Sequence, residues 1–144
     1  MQLNVVEGPD AYSDSVLTID PADGTKRVWM VWAHWCPYCQ QELPEINAWW
    51  PEASATFPSA ELVTVTTSMD DSRGNPLEEY LASSQFVFPV VVDTDTTIAA
   101  QFGVNAFPFW MVTDGDGTVL FRTAGALGME AIEQLFVQLE EFDA

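Results

Sequence analysis

The chain has 144 residues, with 22 acidic against 4 basic side chains and a formal charge of −18. That charge repels nucleic-acid phosphates and anionic lipid surfaces over about a Debye length, so neither is expected as a partner. An apolar share of 48%, with six Trp and nine Phe, is too rich for a disordered chain and fits one packed domain, residues 1–144, in which 1–14 reads as an N-terminal extension.

No apolar run is long enough to span a bilayer, and Met1–Glu7 lacks a basic segment followed by an apolar one. No membrane segment is therefore read in the chain. The acidic excess reads as a solubilising surface.

In chain order, Lys26–Ala33 is a short run of β-branched and aromatic residues, as expected of a central strand covered on both faces. The two cysteines, Cys36 and Cys39, follow at once. Gln40–Trp50 then carries Leu43, Ile46, Trp49 and Trp50 at helical spacing, and Pro37 sits where a first helical turn tolerates proline. Cys36 is thereby placed at a helix N-terminus, and Pro44 should kink the helix. Glu61–Thr67 reads as a strand, Pro76–Ser84 as a helix and Phe88–Asp93 as a strand. Thr96–Phe102 reads as a brief helix ending at Gly103. Phe109–Thr113 and Val119–Thr123 flank the turn signal Asp114-Gly115-Asp116-Gly117. Met129, Ile132, Leu135, Phe136, Leu139 and Phe142 form one apolar stripe on a last helix. This order predicts an α/β fold, a mixed central sheet with helices on both faces.

A bridge between Cys36 and Cys39 closes too small a loop to restrict the unfolded chain, so the pair is read as chemical. A thiol attacks a disulfide as thiolate, and a helix N-terminus stabilises that anion. Cys36 takes that place. Cys39, one turn later, can attack a mixed disulfide at Cys36 and release the product. Zinc would need more ligands than two Cys and His34, and a Cys-His hydrolase needs no second Cys, so neither a metal nor a cofactor is expected. His34 reads as a solvated loop residue.

Trp32-Ala33-His34-Trp35-Cys36-Pro37-Tyr38-Cys39 resembles the active-site segment of the thioredoxin superfamily. Glu42, Pro44, Phe88-Pro89-Val90-Val91-Val92-Asp93 and the Asp-Gly-Asp-Gly hairpin resemble its TlpA/ResA-like branch. The resemblance implies a thioredoxin-like three-layer fold and a thiol-disulfide oxidoreductase working through Cys36 and Cys39. It implies a cis proline at Pro108 facing the cysteines, with the Phe107 backbone free to pair with an extended substrate. Trp35, Pro37 and Tyr38 would complete the substrate surface. Glu42 is the branch's candidate for proton transfer, against a plain solvated carboxylate on the helix face.

Some features depart from neighbouring families. Met30 stands where thioredoxin proper has a buried acid. The Pro-Tyr pair resembles glutaredoxin, but the Gly-Gly segment after the proline is missing. A peroxiredoxin would need a threonine four residues, counting inclusively, before its reactive cysteine, and neither cysteine has that setting. The resulting expectation is a monomeric reductase acting on protein disulfides, itself served by a redox partner. Oxidase or isomerase direction, a glutaredoxin-like activity and a peptide-binding module of the same fold stand as alternatives. The resemblance puts it outside the cytoplasm if a leader or anchor precedes the chain, and inside otherwise.

Overall fold

The computed structural model describes residues 1–70 and 72–142. The central strand β3 is Lys26–Trp32, flanked in parallel by β4, Ala60–Thr66, and antiparallel by β6, Phe109–Thr113. β5, Val90–Val92, pairs in parallel outside β4, and β7, Val119–Ala124, antiparallel outside β6. The five-stranded order is β5-β4-β3-β6-β7.

Alternate residues of β3 serve two cores, as the pleat dictates. Val28, Met30 and Trp32 face Leu43 and Ile46 of α1, Pro37–Thr56, Leu81 of α2, Leu77–Ser84, and Ile132, Phe136 and Leu139 of α4, Met129–Glu141. Trp29 and Val31 face the other layer, with Ile98 and Phe102 of α3, Thr97–Phe102. β3 has six consecutive buried residues because helices cover both sides of the sheet. Truncating a fully buried side chain such as Leu43 to Ala is worth about 2–5 kcal/mol. Among the described residues no helix is long and apolar enough to cross a membrane.

Several elements differ from the expected boundaries. α1 runs from Pro37 to Thr56, through both Pro44 and Pro51, rather than ending at Trp50. Its buried face, Cys39, Glu42, Leu43, Ile46, Trp50 and Ala53, keeps helical spacing to the end, so packing outweighs the lost backbone donors. The strand expected from Phe88 begins only at Val90, because Pro89 offers no N–H and contributes its carbonyl alone, to the Thr64 N–H at 3.0 Å. Phe142 lies just past α4 and is half-exposed.

The sequence reading placed no strand before Lys26. The structure has a hairpin there, β1, Val6–Pro9, with β2, Val16–Ile19. Leu3 and Val6 are buried in the core beside α3. β1 lies so close to β5 that a Cβ on Gly8 would stand 2.5 Å from the Val92 carbonyl oxygen, which only glycine avoids. At the C-terminal ends of β4 and β5, buried Asp93 accepts from Thr67 Oγ1 at 2.9 Å and from the Ile98 and Ala99 N–H groups, each at 3.0 Å. This carboxylate starts α3 and fixes the sheet edge on which the cysteine loop stands.

Candidate active site

Cys36 is the N-cap of α1, with extended backbone angles and Pro37 in the first turn. Its Sγ accepts the Cys39 N–H at 3.4 Å, as N-cap side chains do for the third residue of a helix. The Phe107 carbonyl oxygen lies 3.8 Å from the same sulfur. The Phe107–Pro108 peptide bond is cis, and Pro108 is buried. Both cysteines are free thiols.

A helix N-terminus suggests an exposed nucleophile, yet only 5% of Cys36 is exposed, against 0% for Cys39. The pair sits at the rim of the α1 core, with Trp35 and Phe107 half-buried against it. Burial pushes the Cys39 thiol well up, and its contact with Cys36 adds to this. Cys39 is therefore a poor nucleophile until its proton is taken, which suits a second-step thiol.

Trp35 is held from three sides. Its Nε1–H donates to the Ser68 carbonyl at 2.7 Å, its ring meets Phe107 edge-on at 5.8 Å, and the Arg73 guanidinium lies 3.5 Å above the ring centre. Pro37 and Tyr38 are exposed on the outer side of the first turn, Tyr38 by 63%. The structure thus gathers Trp35, Cys36, Cys39, Phe107 and Pro108 at one place, with Pro37 and Tyr38 beside them.

Glu42 is not solvated. It is 4% exposed, and its Oε2 accepts the N–H groups of Leu127 at 3.0 Å and Gly128 at 2.9 Å, while Oε1 has no partner. The same loop reaches the proline on its other side, where the Gly125 N–H donates to the Pro108 carbonyl at 2.7 Å. Glu42 is close enough to Cys39 for its charge to help raise that thiol.

His34 also departs from expectation. It is 2% exposed, and neither ring nitrogen has a hydrogen-bond partner. The segment after β4 is laid across this turn, with the Thr67 N–H donating to the Trp32 carbonyl at 3.0 Å and Trp35 bonded to Ser68. The turn that carries His34 is folded inward as a result. Arg73 is the site residue that sequence reasoning missed, and no spacing signal links it to Trp35.

Comparison with known proteins identifies the family. The model of the AhpC/TSA family matches residues 6–122. Sporulation thiol-disulfide oxidoreductase A of Bacillus subtilis is 22% identical over 114 residues, covering 79% of this chain and 68% of that protein. Thiol-disulfide oxidoreductase ResA of Bacillus thuringiensis is 26% identical over 111 residues, covering 77% of this chain, and the match spans 57% of the length of ResA. The exposed lipoprotein thioredoxin Etrx1 of Streptococcus pneumoniae superposes with a TM-score of 0.77 at 21% identity, covering 94% of this chain and 99% of that one. With the family model spanning most of the chain and the cysteine pair set at a helix N-terminus beside a cis proline, the protein belongs to the AhpC/TSA family of the thioredoxin superfamily.

Proposed function

We propose that the protein is a thiol-disulfide oxidoreductase that reduces disulfides of protein substrates outside the cytoplasm. The observation that carries this reading is the Cys36 sulfur, set at the start of α1 and 3.8 Å from the Phe107 carbonyl in the bend that leads into β6. An extended substrate segment pairing with the Phe107 backbone brings its disulfide to that sulfur.

The chemistry balances as two exchanges. The Cys36 thiolate attacks one substrate sulfur; a Cys36–substrate bond forms, the substrate disulfide breaks, and the leaving sulfur takes a proton. Cys39 then loses its proton and attacks Cys36 Sγ, forming the Cys36–Cys39 disulfide and freeing the second substrate thiol. Two electrons pass from the pair to the substrate, and an external dithiol must restore the pair. Glu42, buried near Cys39, is the group proposed to take the Cys39 proton.

The reductive direction is supported by what surrounds Cys36 Sγ. Strongly oxidising pairs are those whose reduced form is stabilised. Here the sulfur accepts one backbone N–H, and among the described residues no basic side chain bonds to it. Equilibration of the pair against dithiothreitol and glutathione tests this. A potential near the about −270 mV of thioredoxin is expected, and one near the about −120 mV of the strongest oxidants would reverse the direction.

A further inference from the structure

Three of the four basic side chains are engaged by the fold itself. Lys26 Nζ donates to the carbonyls of Glu140 at 3.3 Å and Phe142 at 3.0 Å. Arg122 Nη1 donates to the Phe102 carbonyl at 3.1 Å. Buried Arg27 is forked onto Asp23 at 3.1 and 2.7 Å. Arg73 is different: it lies over the Trp35 ring, and among the described residues it makes no ion pair.

A guanidinium laid on an indole face keeps its N–H donors around its own planar rim, where they can take a carboxylate with two parallel bonds. The ring contact also holds the side chain in place, so less freedom is lost when a ligand binds. Asp70 is the nearby acid that feels this cation. Its carboxyl is held below the usual range chiefly by the Ser72 hydroxyl and N–H and more weakly by Arg73, and its Oδ1 is already taken by the Ser72 Oγ at 2.6 Å and N–H at 3.0 Å. The contacts then run without a gap from Arg73 to Trp35, from Trp35 to Phe107 at 5.8 Å, and from the Phe107 carbonyl to Cys36 Sγ at 3.8 Å.

We propose that Arg73 is a specificity-determining residue, selecting disulfides that are flanked by a carboxylate, which its guanidinium grips while stacked on Trp35 next to Cys36. The proposal rests on the exchange reading above. In a chain of charge −18 an acidic segment is generally repelled, so one fixed cation stacked on Trp35 supplies an attraction close to Cys36, where it decides which segment enters.

The test uses the reduced full chain and two synthetic peptides, each with one intramolecular disulfide, identical except for Glu or Gln beside one cysteine. The readout is the ratio of their second-order reduction rates at low ionic strength. Wild type should prefer the Glu peptide about three- to fivefold, the scale of one exposed charge pair, and added salt should erase the preference. Arg73→Gln should bring the ratio to one or below, and Arg73→Lys should fall between. A ratio that Arg73→Gln leaves unchanged overturns the proposal, including the case where both rates fall together because Arg73 only props Trp35. Reduction of both peptides at equal rates by wild type defeats the specificity alone; reduction of neither defeats the exchange reading and this proposal with it.

Discussion

Glu42 on α1 accepts the backbone N–H of Gly128, the N-cap of α4, at 2.9 Å. Glu42 thereby satisfies the amide of the N-cap residue itself and that of Leu127 before it, favoured by the positive end of the helix dipole. Glu42→Ala removes the acceptor of the part-buried Leu127 and Gly128 N–H groups, at about 1–2 kcal/mol each. Urea unfolding should show a loss of about 2–4 kcal/mol for Glu42→Ala and a much smaller one for Glu42→Gln, whose amide oxygen still accepts. An unchanged urea midpoint for Glu42→Ala would show that the tie contributes nothing.

The same acid has a kinetic signature. Burial is the main cause of the raised Cys39 thiol and the Glu42 charge a lesser one, so Glu42→Gln makes Cys39 somewhat easier to ionise. If Glu42 takes the Cys39 proton, the variant nonetheless releases substrate from the mixed disulfide about 100-fold more slowly at neutral pH, because the base is gone. Single-turnover kinetics of the preformed mixed disulfide decide the matter, and faster release would reduce Glu42 to a source of charge.

Iodoacetamide at limiting concentration should label Cys36 before Cys39. Cys36 has the helix N-terminus and the little surface the pair offers, whereas burial holds Cys39 in the thiol form. Peptide mapping of the reduced protein at neutral pH gives the order. Labelling of Cys39 first would exchange the two roles.

Cys39→Ser should accumulate a mixed disulfide at Cys36 when offered an oxidised protein substrate, since attack proceeds and resolution does not. Non-reducing electrophoresis shows the adduct and dithiothreitol removes it. Should no adduct form with any of several disulfide proteins, the surface around Trp35 and Phe107 would be better read as a binding surface.

Arg27 is buried, and its fork onto Asp23 holds that carboxyl below its ordinary value of 3.8. A lowered folded-state value means the stabilisation is present above pH 3.8 and is lost as pH falls through the folded value. Because Asp23 is 39% exposed, solvent screening leaves about 1 kcal/mol for Asp23→Asn at neutral pH. Denaturant melts of both proteins should converge as pH drops below 3.8, and a gap that widens there would contradict the pairing.

The sheet and its cysteine helix were legible because their signals are local. The apolar run of β3, Pro37 at the first turn and the stripe of Leu43 and Ile46 each announce themselves within a few residues. The hairpin before Lys26 was hidden because its two strands are only four residues each, while the Gly8 requirement comes from Val92, far along the chain. The site divides the same way. Cys36 and Cys39 stand in a motif, whereas the burial of Glu42 depends on amides 85 and 86 residues away. The inward turn of His34 depends on the segment at Thr67 and Ser68. No periodicity carries such information, since it arises only once distant strands are set side by side.

The loop between β7 and α4 has no regular structure, and loops of that kind ordinarily trade their amide hydrogens with solvent almost at once. Here the amides of Gly125, Leu127 and Gly128 are all donors, one to the Pro108 carbonyl and two to Glu42. Their hydrogens can leave only when the loop parts from the proline strand or from α1. Deuterium uptake at these three amides therefore gauges, in a single short peptide, how often the loop comes loose from Pro108 and from the cysteine helix.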